Sequence, residues 1–319
     1  MTHVKRPNVT AIHSVLRFAL SVPDLGVAEA YFTSFGLQVV RHSDQLHLFT
    51  QGQAHCWGII YQGSGPKKTE YYSVGVFAED EAALKQQVLA AGYALRAPHP
   101  RSDGQGFWVA DPDGMPIQVV ISEKVTPTAK APRLDSTFKT NAIEVGVSPM
   151  RSQTQQVHPQ RMSHILIFVT DVPRAVKFYT EALGFRLSDK SLDVIAFLHG
   201  AHASDHHLLA MAKSNGPGLH HSSWLVRNID EVGLGMEQMY HAGYRKGWGV
   251  GRHVIGSNYF YYAQDPWGSF TEFSYDIDFI GADTEWPTGD YPPEDSMYLW
   301  GPAVPEDFIH NYEASATTP

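Results

Sequence analysis

Residues 162–185, MSHILIFVTDVPRAVKFYTEALGF, decide how the chain is read. The apolar run through Val169 has the length and β-branched content of a buried strand. Asp171 follows as a helix N-cap, and Pro173 falls in the first turn, where its missing N–H leaves no bond unmade. Apolar residues then recur at helical spacing until Gly184, a residue suited to the left-handed conformation that ends a helix. The same order occurs in HSVLRFALSVPDLGVAEAYFTSFGL, residues 13–37.

Two further pairs extend the repeat. YYSVGVFAEDEAALKQQVLAAGY (71–93) matches HHSSWLVRNIDEVGLGMEQMYHAGY (220–244), each a strand followed by a helix that opens on acidic residues and stops at Gly92 or Gly243. GFWVADPDGMPIQVV (106–120) matches YFYYAQDPWGSFTEF (259–273), two hairpins turning on Asp-Pro-x-Gly. Each half therefore reads strand, helix and short strands, twice over. Repetition on this scale predicts a duplicated α+β fold of four βαβββ modules arranged as two similar domains.

The boundaries follow from where the periods stop. The first domain is expected over 8–123 and the second over 159–280. Between them, 124–158 is a linker whose stretch TPTAKAPRLDSTFKTNAIEVGVSPMRSQTQQ (126–156) is rich in Thr, Ser, Pro and Lys and has no clear period. Residues 281–319 form an acidic, Pro-rich tail with eight Asp or Glu and no Lys or Arg. Its Trp286, Tyr291, Tyr298 and Trp300 predict a tail that folds back over the second domain and helps close a pocket or an interface, since disordered segments are poor in aromatics.

Composition excludes several classes of partner. The 319 residues, 43% of them hydrophobic, suffice for two ordinary cores. A formal net charge of −9 offers no basic footprint for nucleic acid and no polybasic patch for a membrane. The single cysteine, Cys56, excludes an internal disulfide and a cysteine-based zinc cluster, and it fits a reducing cytoplasm. The opening MTHVKRPNVTAIHS lacks the apolar core of a secretion signal. No apolar run approaches the roughly 20 residues of a membrane span.

Duplication also supplies an internal comparison. In the second half His164 and His221 sit in the first strands of two modules, and Glu272 sits among apolar neighbours in the terminal hairpin. The matching first-half positions are approximately Leu16 or Arg17, Tyr72 and Gln118, which could not serve as a ligand set. Two imidazoles and a carboxylate are the 2-His-1-carboxylate set that holds a divalent iron on one face and leaves the opposite positions open. A buried Glu272 needs a partner, and a metal would be one.

HVIGSNYFYYAQDPWGSFTE, residues 253–272, resembles the signature of the type I extradiol dioxygenases of the vicinal oxygen chelate superfamily, with its His, aromatic pair, Asp-Pro-x-Gly and ligand Glu. NGPGLHHSSWLVRNIDEVG (215–233) resembles that family's second-ligand segment, and MSHILIFVTDVPRAVKFYTEALGF its first. The likeness follows module order along nearly the whole chain and is strongest over 161–275. Tyr261 departs from it, standing where the signature usually has an aliphatic residue or Phe. The resemblance implies a glyoxalase-like fold, with His164, His221 and Glu272 as ligands of Fe(II), the same set accepting Mn(II). Of His220 and His221 it selects the second, since adjacent strand residues face opposite ways. It further implies His207 as an acid/base, and His253 and Tyr262 as groups contacting the substrate.

The expected protein is a cytoplasmic extradiol dioxygenase that cleaves a catecholic ring beside its two hydroxyls with O2, in aromatic degradation. Its partners are the catechol and dioxygen, and the resemblance adds a homotetramer. One alternative keeps fold and metal but acts as a glyoxalase-like isomerase or transferase, without oxygen uptake. Another is a non-catalytic small-molecule binding protein, against which the confinement of ligands to one half argues. A Gly-rich phosphate loop, a nucleophile elbow and a Cys–His pair are absent. Trp248, Arg245, Lys246 and Arg252 lie near the signature without an assigned place.

Overall fold

Pairing of two strand-helix units around an antiparallel centre builds each half of the protein. The computed structural model describes residues 5–133 and 148–315, so positions 134–147 of the expected linker lie outside the described residues. The first half runs β1 (Ser14–Val22), α1 (Leu25–Ser34), β2 (Gln38–Arg41), β3 (Gln45–Phe49) and β4 (Cys56–Gln62). It continues with β5 (Lys68–Val76), α2 (Glu81–Ala90), β6 (Phe107–Ala110) and β7 (Pro116–Ile121). The second half runs β8 (Arg161–Val169), α3 (Val172–Glu181), β9 (Arg186–Ser191), β10 (Ile195–His199), β11 (Ser204–Asp205) and β12 (Leu209–Lys213). Then come β13 (Gly218–Leu225), α4 (Ile229–His241), β14 (Gly247–Arg252), β15 (Tyr259–Gln264) and β16 (Phe270–Tyr275).

The two sheets share one plan. In the first, ordered β2-β3-β4-β1-β5-β7-β6, β1 and β5 are antiparallel neighbours, each with a parallel strand on its other side. In the second, β8 and β13 hold that central place, flanked by β12 and β16, and the order is β14-β15-β16-β13-β8-β12-β10-β9-β18. Here β18 is Gly289–Asp290, a tail segment added to the sheet edge, and β11 pairs separately with β17 (Phe279–Ile280). The second module is the reduced one. After α2 only β6 and β7 are full strands, and the third shrinks to a bridge between Arg96 and Trp108. Pro98 and Pro100 lie in that stretch, and neither has the N–H that a ladder needs.

Local chemistry explains the element ends. The Asp24 side chain accepts from the N–H groups of Gly26 and Val27, and Asp171 accepts from that of Arg174. Such caps contribute about 1 kcal/mol each. Both Asp-Pro-x-Gly hairpins are tied by their aspartate: Asp111 Oδ1 accepts from the amides of Asp113 and Met115, and Asp265 Oδ1 from those of Trp267 and Ser269. Gly268, with φ +98°, takes the left-handed position that the turn requires.

One continuous core serves both halves. Phe35 stacks on Phe273 with ring centroids 3.9 Å apart, and the Tyr31 hydroxyl reaches the Ala263 carbonyl at 2.9 Å. The tail docks on this body: Phe308 joins a cluster of Trp248, Phe260, Tyr262 and Phe270, and the buried Lys67 pairs with Glu313 at 2.9 Å. Among the described residues no helix is long and apolar enough to cross a membrane.

Candidate metal centre

Strand alternation sends core residues to one face and chemistry to the other. Along β8, Ile165, Ile167 and Val169 enter the core while His164 and Leu166 line a cavity. Along β16, Phe273 and Tyr275 enter the core and Glu272 turns to the cavity. On β13, Ser223 pairs with His164 on one side and Glu272 on the other, and His221 lies two residues away on the same strand. Three adjacent strands thus converge on one point.

The donor atoms form a tight triangle. His164 Nε2 lies 3.3 Å from His221 Nε2, and Glu272 Oε2 lies 3.4 Å and 3.7 Å from those two atoms. Donors at right angles on one ion, with bonds of roughly 2.1 Å, stand about 3 Å apart, so the triangle fits an ion. Glu272 is fully buried; its Oε1 accepts from Asn258 Nδ2 at 3.0 Å, while Oε2 has no hydrogen-bond partner. A dry carboxylate oxygen without a donor is costly unless a cation faces it. Burial alone would push the Glu272 carboxyl up, but His164 and His253 outweigh it and hold it below the usual carboxylate value. Burial, with neighbouring imidazoles, pushes His221 far below its ordinary value, which keeps it in the neutral form that binds metals. Among the described residues these three form the one group able to hold a metal ion.

Around this point is a cavity of about 700 Å3, its mouth included, walled by Phe197, Trp248, Ile255, Phe308 and Ile309 among others. His207 stands in it with its ring centroid 4.1 Å from that of His164, and burial pushes its pKa far down. His253 Nδ1 lies 2.6 Å from the Met297 carbonyl and must donate to it. In the neutral ring Nε2 is then an acceptor, and the Tyr262 hydroxyl donates to it at 2.9 Å. Trp248 stacks behind Tyr262, the planes 15° apart.

Two expectations need correction. His221 faces Leu166 across the ladder, as Tyr71 faces Ala19, because each strand carries a bulge before that residue. Tyr71, rather than Tyr72, therefore holds the place of His221, and Tyr72 enters the core to bond the Tyr179 hydroxyl at 2.5 Å. The same register gives Arg17 the place of His164 and Gln118 that of Glu272. The bulge also turns His220 toward the cavity beside His221, against simple alternation. Its Nε2 is taken by the Phe308 carbonyl at 2.7 Å. Of the four residues left without a place, Trp248 lines the cavity, while Arg245, Lys246 and Arg252 do not. Missed altogether were Asn258, Met297, Phe308 and Ile309; the last three lie in the aperiodic tail, where no pattern marks which side chain points inward.

Residues 161–273 match the family described as Glyoxalase/Bleomycin resistance protein/Dioxygenase superfamily. Metapyrocatechase 2 of Cupriavidus necator is 48% identical over 305 residues, covering 95% of this chain and 93% of the relative. Among solved structures, the Mn(II)-bound glyoxalase of Novosphingobium aromaticivorans aligns with a TM-score of 0.75 at 23% identity, covering 95% and 96% of the two chains. A variant of homoprotocatechuate 2,3-dioxygenase from Brevibacterium fuscum aligns with a TM-score of 0.73 at 20% identity, covering 96% of this chain and 84% of that one. At such identities the structural likeness is one of fold.

Proposed function

We infer the working parts of the site from what the chain is: it belongs to the glyoxalase/bleomycin resistance protein/dioxygenase superfamily, and it is an extradiol dioxygenase, opening a catecholic ring beside its two hydroxyls with O2. His164, His221 and Glu272 hold the metal, which is iron(II), with manganese(II) accepted by the same donors. The observation that carries this is the buried triangle of donors with an unpartnered Glu272 Oε2 at one corner. Bound there, iron(II) supplies positive charge that favours the ionised diol and the redox capacity that oxygen chemistry requires.

The chain's own groups do the rest. His164, His221 and Glu272 would hold the ion at the wall of the cavity, whose space would take the diol and O2. His207 takes a diol proton and returns it later, while Tyr262 and His253 form a hydrogen-bonded pair beside the substrate. The aromatic wall excludes water and packs the ring. No Lys or Arg is among the described residues lining the cavity, so ring substituents are uncharged. Work in the cytoplasm as a homo-oligomer completes the proposal; a chain whose only cysteine is Cys56 has no internal disulfide to protect there.

The test is a panel of catechols bearing hydrogen, alkyl, aryl or carboxylate substituents, scored under air for oxygen consumption and a yellow ring-opened product. Turnover of the uncharged members with stoichiometric oxygen uptake is expected. Turnover without oxygen uptake, or a preference for carboxylated rings, overturns the reading.

A further inference from the structure

Behind His207 lies a second buried pair that the reaction described above does not use. Asp189 on β9 and His206, just ahead of β12, are both almost wholly buried. Asp189 Oδ1 accepts the Gly289 amide at 2.6 Å, and Oδ2 accepts the Trp286 indole N–H at 3.2 Å. His206 Nε2 lies 2.6 Å from Oδ2, and its Nδ1 lies 3.0 Å from His207 Nδ1.

With His206 as the neutral imidazole, these contacts set where the protons sit. A carboxylate only accepts, so His206 Nε2 carries the hydrogen and donates it to Asp189. A neutral imidazole has one N–H, which leaves a lone pair on His206 Nδ1. Two lone pairs cannot face each other at 3.0 Å, so His207 Nδ1 carries the next hydrogen and points it at His206. His207 Nε2, at the other end of a ring that lines the cavity, is left as a base.

We propose that Asp189 and His206 are positioning residues that hold His207 in the Nδ1–H tautomer, presenting Nε2 to the substrate hydroxyl. The proposal rests on the dioxygenase reading of the site. In the step it serves, the diol O–H bond breaks, its electron pair stays on oxygen, and the proton forms an N–H bond at His207 Nε2. The imidazolium so formed keeps its Nδ1–H bond to His206, and the proton later returns to an oxygen of the opened ring. The tail takes part through Trp286 and Gly289, which hold the Asp189 oxygens. A Cβ at 289 would lie 2.5 Å from the Tyr291 ring and 3.0 Å from Oδ1, so glycine leaves room for that approach.

The experiment combines 15N NMR of histidine-labelled, full-length protein, with zinc(II) replacing paramagnetic iron, and steady-state kinetics of the iron enzyme. In the wild type, the His207 signals, assigned by difference from His207→Phe, are expected to show a protonated Nδ1 and an unprotonated Nε2. Asp189→Asn is made in a Trp286→Phe background, which removes the indole N–H from Oδ2, so the amide oxygen stays on the Gly289 N–H and the amide NH2 faces His206. That reverses the direction of both bonds and moves the His207 proton to Nε2. Turnover should fall about 10- to 100-fold, the range found for outer-shell partners, while KM for catechol and metal content hold. A wild-type His207 protonated at Nε2 overturns the proposal even if the variant does not fold. So does an Asp189→Asn, Trp286→Phe enzyme with the kcat and tautomer of Trp286→Phe alone. A wild type with the expected tautomer that opens no catechol would instead refute the reaction and leave the hydrogen-bond relay standing.

Discussion

At Glu272 the energetic argument is sharpest, because a fully buried carboxylate keeps one oxygen free of any hydrogen bond. Replacing Glu272 with Ala removes one of three donors to the ion, so metal per chain, measured on anaerobically purified protein, should fall from near stoichiometric to a trace. Full retention would mean that the ion sits elsewhere. His207 gives the contrasting expectation. The donor set is complete without it, so His207→Phe should keep its metal and still bind catechol. Turnover should drop by about 100- to 10,000-fold, as for loss of a general acid/base, with single-turnover kinetics locating the defect after binding. Loss of metal in that variant would make His207 a ligand.

Among the elements, the tail contributes more to stability than its irregular sequence suggests. Glu313, in a short helix (Tyr312–Ser315), receives Lys67 Nζ, the Thr69 amide and hydroxyl, and the Leu219 amide, so it ties β5 of the first half to β13 of the second. Lys67 is 5% exposed and also donates to Ser269. Glu313→Ala leaves that ammonium buried without its counter-charge, which costs about 3–5 kcal/mol. The urea midpoint should shift accordingly, and a change below about 1 kcal/mol would show that Lys67 escapes to water.

For the whole molecule, buried neutral imidazoles set the response to acid. Burial lowers His13 to about 3, and His199 and His202 to about 4, against an ordinary value near 6.5. Below pH 6.5 the unfolded chain takes up protons that the folded one refuses, so stability is lost as pH falls from 6.5 toward those values, by up to about 1.4 kcal/mol per pH unit for each group. Asp111, raised to about 6 by burial, acts in the opposite sense, since folding there retains a proton until pH rises through 6. Three groups outweigh one, and chemical unfolding at pH 5 should need less urea than at pH 7; equal midpoints would refute the balance. The same whole-molecule scale separates what was legible from what was not. The modules, caps, Asp-Pro-x-Gly turns and the grouping of His164, His221 and Glu272 as a candidate site were readable because they rest on local rules of period, capping and repeat. The bulges that exchange Tyr72 for Tyr71 and swing His220 inward depend on which residue of a partner strand each faces, and no local rule carries that information. Which tail side chains enter the cavity, and the approach of Asp189 to Gly289, 100 positions away in the chain, are likewise packing outcomes: only when the sheets close do those atoms meet, and only then do their hydrogen bonds have partners.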